Sequence, residues 1–501
     1  SGAALPICMD KGLRRDHISR SRKRIRMSPL YTMAELANNA PRHPSADYDG
    51  PDWLRKRLGR HVSEMLRLAP PIVLARSGII VMVLVDTIIV GHYSALELGY
   101  LGIGMSLVQP IVVTSLGLIM GTLVLTANHF GGGRLHECGA VWRHSVNYAL
   151  ALGVGGAVIC LFGAPLLSLT GQSAGLSREG GEVMRVLGYG LPGHLLFLAT
   201  SFFLEGMRRT TPGMVFMVAA NLINLGLTYA LVHGIGDIPA MGAVGAAWGT
   251  SIARTFLGLG MAIHVLTMRG HEDFGVRNAP TGGWASWGHQ RRLGYAMGTS
   301  LAVESFAFTT IQQFAGWLGP MPLASFTVAF YLLVISFMVA IGFGAATAVR
   351  VGIAHGRGDH RDVALAGWTG LGLTVIATAV MAIILVVFQD DLPRFFSDDA
   401  VVIVAAAPLL FWAAVALVSD GCQAVLANAL RGRQDVWASC GIQAIAFLGV
   451  MTPLTWWLVF PMEHGAAGLF QGVMISTVVA LVLLSWRFHR LYRRDVETGS
   501  D

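Results

Sequence analysis

Apolar stretches of twenty or more residues recur along this chain, and each could cross the roughly 30 Å hydrocarbon core of a bilayer as a helix. Twelve such stretches are present, at 68–92, 100–127, 141–165, 183–204, 214–233, 242–267, 293–318, 323–349, 364–388, 401–429, 438–460 and 466–486. A bilayer offers the backbone no water to bond, so such stretches fold as α-helices. The chain is only 13% charged, against about 25% in soluble proteins. We therefore predict an all-α polytopic membrane protein with twelve transmembrane helices.

The loops between these stretches alternate in charge. Arginine occurs in the loops at 131–137, 205–213, 268–292, 355–362 and 430–435 and in the C-terminal tail. Four of the intervening loops, at 92–99, 234–242, 318–322 and 461–465, contain neither Lys nor Arg. Since Lys and Arg concentrate on the cytoplasmic side of a membrane, we expect both termini to be cytoplasmic. The predicted location is the plasma membrane, which in bacteria is the inner membrane.

Two arginine-bearing loops repeat along the chain. GGGRLHE at 131–137 and GRGDHRD at 356–362 lie 225 positions apart. A repeat of this length holds six spans, so both copies have the same orientation, as in parallel transporter repeats. We expect two pseudo-symmetric six-helix lobes, an N-lobe at 68–267 and a C-lobe at 293–486. The segment 268–292 is the expected cytoplasmic linker, and 487–501 the C-terminal cytoplasmic tail.

The N-terminal segment is strongly basic. Residues 1–67 carry 14 Lys and Arg against 7 Asp and Glu, which accounts for the whole formal net charge of +7. The run RSRKRIR at 20–26 is compatible with nucleic-acid binding or with attraction to anionic lipids. Ahead of a membrane-spanning body we expect membrane lipids as the partner and no nucleic acid. The segment is expected to be a partly disordered cytoplasmic tail.

Three carboxylates interrupt otherwise apolar spans: Asp86, Glu304 and Asp420. An acidic residue at the centre of a membrane helix costs roughly 2.5–3.5 kcal/mol on insertion scales, so we expect these three to be functional. Burial makes a carboxyl group easier to protonate, which suits the binding and release of protons or other cations. The competing interpretation is a structural ion pair, for which Arg254 in the sixth span is the expected partner of Asp86.

Three segments of the chain match the pattern of one known protein family. The first span, LAPPIVLARSGIIVMVLVDTIIVG, has the early Pro and the VDT followed by Gly of that family's first helix. FGAATAVRVGIAHGRGD and VSDGCQAVLANALRGRQD are similar to the ends of its eighth and tenth helices. Together these segments resemble the multidrug and toxic compound extrusion (MATE) family, in its NorM-like branch, and the resemblance covers about residues 68–486. It implies a two-lobed antiporter that exports organic cations or amphipathic drugs in exchange for H⁺ or Na⁺ by alternating access.

The resemblance also implies which residues couple the ion. Asp86 matches the family's first-helix Asp, and Asn224 and Thr228 are the expected polar partners of Asp86 on one face of the fifth span. Glu304 and Asp420 match the acids of the seventh and tenth helices and are the expected H⁺ or Na⁺ site. The sequence departs from the family at two positions that often carry Tyr and Gln, here Ala416 and Thr327, and this departure argues against Na⁺ more than against H⁺.

The sequence is less compatible with other functions. On the same fold, a flippase or exporter of a lipid-linked saccharide or organic acid is an alternative. Binding a diphosphate would call for Lys and Arg in the cleft, and the chain has no Lys after residue 67. No HExxH motif occurs, and we do not expect an enzyme. No cofactor is expected beyond the coupling ion, and the monomer is expected to be the functional unit.

Overall fold

The structure is a computed structural model that describes residues 52–236, 239–278, 284–396 and 400–498. The described residues form helices and no strand, which confirms the all-α fold class. The helices are α1 (Trp53–Tyr93), α2 (Ala95–Ile119), α3 (Gly121–Gly131), α4 (Leu135–Leu161), α5 (Gly163–Leu169), α6 (Ala174–Tyr189), α7 (Leu191–Gly206), α8 (Thr211–His233), α9 (Gly242–Thr267), α10 (His271–Phe274), α11 (Gly288–Trp317), α12 (Pro320–Gly356), α13 (His360–Val387), α14 (Ala400–Gly432), α15 (Val436–Ala444), α16 (Thr452–Val459) and α17 (Gly465–Thr498). A π-helical segment, Ile445–Met451, joins α15 to α16.

Each predicted span coincides with a helix or with consecutive helices, but the count of twelve is only partly supported. Among the described residues, ten helical segments are long and apolar enough to cross a membrane, and the pair α6–α7, bent by 42°, brings the number to eleven. The remaining predicted span, 293–318, corresponds to α11, a helix of 30 residues. It is long enough, but Arg291, Arg292 and Glu304 are among the polar residues that make it less apolar than the others.

The first helix begins earlier than the sequence indicated. The predicted boundary between tail and N-lobe, at 67/68, falls inside α1, which starts at Trp53. The polar residues at 53–67 are accommodated in a helix because several of them bond to α12, α13 and the turn between them, as for Arg57 with Asp359 at 2.6 Å. The predictions for the basic run at 20–26, and for disorder before residue 52, fall outside the described residues.

The predicted repeat is present in the backbone. Gly133 and Gly358 have φ angles of 72° and 73° and lie 225 positions apart, while Arg208 and Gln434 have φ angles of 65° and 68°. In all four turns the residue at positive φ donates to the carbonyl three residues back, and the next residue donates to the carbonyl five residues back. This pairing closes a helix C-terminus. The same helix-ending turn therefore recurs at matching places in two pseudo-symmetric halves.

The two lobes touch at the end of the helices that holds the arginine-bearing loops 131–137 and 356–362, here called the basic end. A Cβ added to Gly131 would lie 2.1 Å from the carbonyl oxygen of Ile353. One added to Gly356 would lie 1.9 Å from the carbonyl oxygen of Asn128. Glycine is required at these positions because the backbones of α3 and α12 approach closer than any side chain allows.

Candidate ion-coupling sites

Asp86 lies at the centre of a fully buried hydrogen-bonded group in the N-lobe. Its Oδ1 accepts hydrogen bonds from Asn224 Nδ2 at 3.1 Å and from Thr228 Oγ1 at 2.8 Å. Its Oδ2 accepts a hydrogen bond from Thr250 Oγ1. The side chains come from α1, α8 and α9, and none of the four residues is exposed to solvent. The structure thus brings together the three residues that the sequence assigned to this site.

Thr250 is the member of this group that the sequence analysis missed. It lies on α9, one helical turn before Arg254, in the segment GTSIART. Asn224 Nδ2 also approaches Thr250 Oγ1, at 3.1 Å, so the amide is shared between the carboxylate and the hydroxyl. The sequence did indicate a polar site on this helix, because four polar or charged side chains lie within one short stretch of an apolar span. Spacing along α9 alone does not tell which of them faces Asp86.

Arg254 is not the ion-pair partner of Asp86. The two side chains interact electrostatically, but no nitrogen–oxygen contact within 4.0 Å joins them in the described structure. Arg254 is buried, and its Nη1 has no hydrogen-bond partner among the described residues. The carboxylate of Asp86 is therefore bonded by three neutral side chains instead of by a cation. A buried ion pair of the N-lobe is formed by other residues, Arg76 with Glu205 at 3.0 Å.

Glu304 and Asp420 both lie in the C-lobe, within electrostatic range of each other. Glu304 on α11 is close enough to Asp420 on α14 and to Arg431 for their charges to interact. Asp420 is buried and accepts a hydrogen bond from Gln423 Nε2 at 3.1 Å. Glu304 is half-buried. This pair belongs wholly to the C-lobe, whereas the Asp86 group is built by N-lobe helices.

Arg431 is the second residue that sequence reasoning missed. The pattern LRGRQD indicated a loop, yet Arg431 lies in the last turn of α14 and is buried. Its Nη2 donates to Gln443 Oε1 at 3.0 Å and to Ser300 Oγ at 3.2 Å. Gln443 continues the network by donating to Gln423 Oε1 at 3.4 Å. A buried guanidinium thus stands beside the acid pair, held by neutral oxygen acceptors.

Few side-chain oxygen atoms near the acid pair are available as ligands for a cation. Ala416 belongs to the apolar core, and the Thr327 hydroxyl donates to the carbonyl of Leu323 at 2.7 Å within its own helix. Within the described residues, no group of three or more His, Cys, Asp or Glu side chains could hold a metal ion. A hard cation such as Na⁺ prefers oxygen ligands. Here the two carboxylates and the carbonyl oxygens of neighbouring amides would have to provide them.

The fold agrees with the comparison with known proteins. The MatE family model matches residues 71–230 and 296–457, two segments that start 225 positions apart. The chain is 36% identical over 452 residues to "Probable multidrug resistance protein NorM" of Caulobacter vibrioides, covering 90% of this chain and 96% of that relative. It is 28% identical over 450 residues to "Multidrug resistance protein PmpM" of Pseudomonas aeruginosa, covering 88% and 94%. The chain therefore belongs to the MatE family.

Solved structures show the same fold. "Crystal structure of MATE in the bent conformation" matches with a TM-score of 0.81 at 19% identity, covering 89% of this chain and 99% of that one. "Outward-facing conformation of a multidrug resistance MATE family transporter of the MOP superfamily" matches with a TM-score of 0.79 at 20% identity, covering 87% and 96%. The resemblance to the NorM-like branch is confirmed, and the chain is a multi-pass membrane protein.

Proposed function

We propose that this chain is a secondary antiporter that exports organic cations and amphipathic drugs or metabolites in exchange for H⁺ or Na⁺ by alternating access. The observation that carries the proposal is Asp86, a fully buried carboxyl group bonded by three neutral side chains and by no cation. A structural aspartate in a membrane is expected to be paired with a charge. The names of the relatives, multidrug resistance proteins, support the same class of substrate.

The neighbours of Asp86 suit a group that gains and loses a proton. A hydroxyl can donate or accept, and an amide offers both functions. When Asp86 is ionised, Asn224, Thr228 and Thr250 donate to it as observed. When Asp86 is protonated, its O–H needs an acceptor, and rotation of the Asn224 amide would supply one, because the buried Oδ1 of Asn224 has no partner in the described structure. Both charge states can therefore be accommodated without moving a helix.

Transport requires that ion and substrate bind the two conformations with different affinities. An ionised Asp86 attracts an organic cation, and protonation removes that attraction. We assign H⁺ to the Asp86 group and H⁺ or Na⁺ to the pair Glu304 and Asp420. An open apolar groove of about 650 Å³ between α2 and α11, lined by residues that include Leu118 and Phe306, has a size and character that suit amphipathic molecules.

We place the basic end of the helices in the cytoplasm, with both termini on that side of the bacterial inner membrane. The support is the arginine content of the loops at this end, together with the positive-inside rule. The C-terminal helix α17 agrees, since its last three turns carry Arg487, Arg490, Arg493 and Arg494.

The test is efflux of a fluorescent organic cation from proteoliposomes under an imposed proton or sodium gradient. We expect Asp86→Asn to abolish proton-driven efflux, and Glu304→Gln and Asp420→Asn to reduce efflux and its dependence on the coupling ion. Asp391→Asn is the matched control, because this aspartate is 64% exposed and pairs only with Arg394 one turn away. Full transport by all three site variants would overturn the coupling proposal.

A further inference from the structure

Charged side chains of both lobes meet at the basic end, in a group that the proposed ion sites do not use. The N-lobe contributes Arg57, Arg60, His61, Glu64 and Arg208, and the C-lobe contributes Arg350, Arg357, Asp359 and Asp362. We call these nine residues the interlobe cluster. They come from α1 and the loop after α7 on one side, and from α12, α13 and the turn between them on the other.

Asp362 is the centre of the cluster. Its side chain is fully buried, and three of its partners belong to the other lobe: Arg57 at 3.1 Å, Arg60 at 3.2 Å and His61 at 3.0 Å. A single partner, Arg357 at 2.5 Å, comes from its own lobe. The backbone N–H of Asp362 is held by Asp359 Oδ1 at 3.0 Å, which fixes the start of α13. Most of the positive charge that neutralises Asp362 therefore comes from residues of the other lobe.

A second chain of contacts crosses the interface beside Asp362. The Nε of Arg350 donates to His61 Nδ1 at 3.3 Å, so the proton of a neutral His61 is on Nε2 and is donated to Asp362. Arg350 also pairs with Glu64 of the N-lobe. Glu64 in turn accepts a hydrogen bond from Arg208 at 2.8 Å. His61 and Arg350 are almost fully buried, so these bonds form in a space without bulk water.

The energetics of such a cluster suit a reversible closure. If the lobes separated at this end, Asp362 would exchange three partners for water, and the loss of pairing would be offset by hydration of the released charges. The intact cluster therefore need not favour one state strongly. Removing one anion changes this balance. In the closed state the remaining guanidinium groups would then be packed together without that anion, whereas in the open state they would be separated. A buried charge without its partner strongly destabilises the state that buries it.

We infer that Asp362, with His61, Arg350 and Glu64, is the positioning group that holds the basic end closed, so that the substrate passage opens only at the opposite end. The inference rests on the proposed alternating-access function. It assigns a role to residues outside the ion sites. Gly131 and Gly356 lie in the contact between the lobes, and the interlobe cluster keeps that contact closed.

The test is the distance between spin labels at Glu272 and Trp437, two exposed positions near the basic end on opposite sides of the lobe interface. The labels are attached to cysteines introduced into a variant without the five native cysteines. We expect Asp362→Asn to raise the ratio of long-distance to short-distance populations by about tenfold or more, a shift within the usual range of conformational coupling. Asp362→Glu keeps the charge, and we expect it to restore most of the wild-type distribution.

Asp495→Asn is the matched control. Asp495, on α17, pairs with Arg433 at 2.6 Å and with His360 at 3.3 Å near the same end, and both partners belong to the C-lobe. If Asp362→Asn does not fold, Glu64→Gln replaces it, because loss of this anion leaves Arg208 and Arg350 facing each other. An unchanged distance distribution in a folded Asp362→Asn or Glu64→Gln variant would overturn the inference, as would an equal change in Asp495→Asn. The readout needs no substrate, so it can fail independently of the efflux test.

Discussion

Replacing Gly131 by Ala tests how tightly the lobes close at the basic end. The new Cβ would lie 2.1 Å from the carbonyl oxygen of Ile353, and real Cβ atoms essentially never approach closer than 3.0 Å. The obstacle is backbone of α12, not the end of a flexible side chain, so relief requires that α3 and α12 move apart. Overpacking of this kind typically costs about 1–3 kcal/mol.

This cost falls on one conformation only. The gain in helix propensity from Gly to Ala, about 1 kcal/mol, is the same with the lobes closed or open and cancels from the equilibrium. The clash with Ile353 exists only in the closed state. A penalty of about 1–3 kcal/mol there shifts the population toward opening at the basic end by about 5- to 150-fold.

The assay is the distance distribution between labels at Glu272 and Trp437, measured with and without Gly131→Ala. Gly226→Ala is the control, because this helical glycine of α8 has no atom within 4 Å of the added Cβ. We expect Gly226→Ala to leave the distribution unchanged. If folded Gly131→Ala also keeps the wild-type distribution, the reasoning that close backbone contact sets the closed state is refuted.

Two further predictions concern the ion sites. Thr250→Val removes a hydroxyl donor to the Asp86 carboxylate, a bond worth about 1.5–3 kcal/mol. We expect proton-driven efflux to fall roughly tenfold in this variant. Efflux should remain near wild type in the control Thr255→Val, because the Thr255 hydroxyl donates to the backbone of its own helix. Equal losses in the two variants would contradict a specific role for Thr250. Arg431→Met removes the bonds to Ser300 and Gln443; we expect it to lower the thermal midpoint in detergent, while Arg490→Met on the exposed end of α17 leaves it unchanged.

Part of the Asp86 group could be predicted because the family resemblance implies polar partners of Asp86 on the fifth span, and helical periodicity shows which residues of α8 share a face. Asn224 and Thr228 are four residues apart and share one face, and both contact Asp86. Thr250 could not be placed in the same way. It lies on another helix, and the face of α9 that meets α1 depends on how the helices pack.

The charge pattern of the sequence indicated which helix ends lie on the same side of the bundle, but it did not predict which charged side chains pair with each other. Arginine in alternate loops separated the two ends of the bundle. It did not show that Arg431 turns inward to Gln443, or that Arg254 stands near Asp86 without an ion pair. A charged residue near a span end can reach water or a buried acceptor, and only the positions of neighbouring helices decide between the two.

By itself, the sequence determined the all-α membrane fold, the two-fold repeat and the three acidic positions, because apolar length, loop charge and helical spacing are local properties of the chain. The span at 293–318 was the hardest to predict from this information, since α11 carries more polar residues than the others. Only the tertiary structure decided that Asp86 is bonded by neutral side chains and that Asp362 is neutralised across the lobe interface. His61 and Asp362 are 301 positions apart. Contacts at that separation follow from the packing of two lobes, which no local pattern encodes.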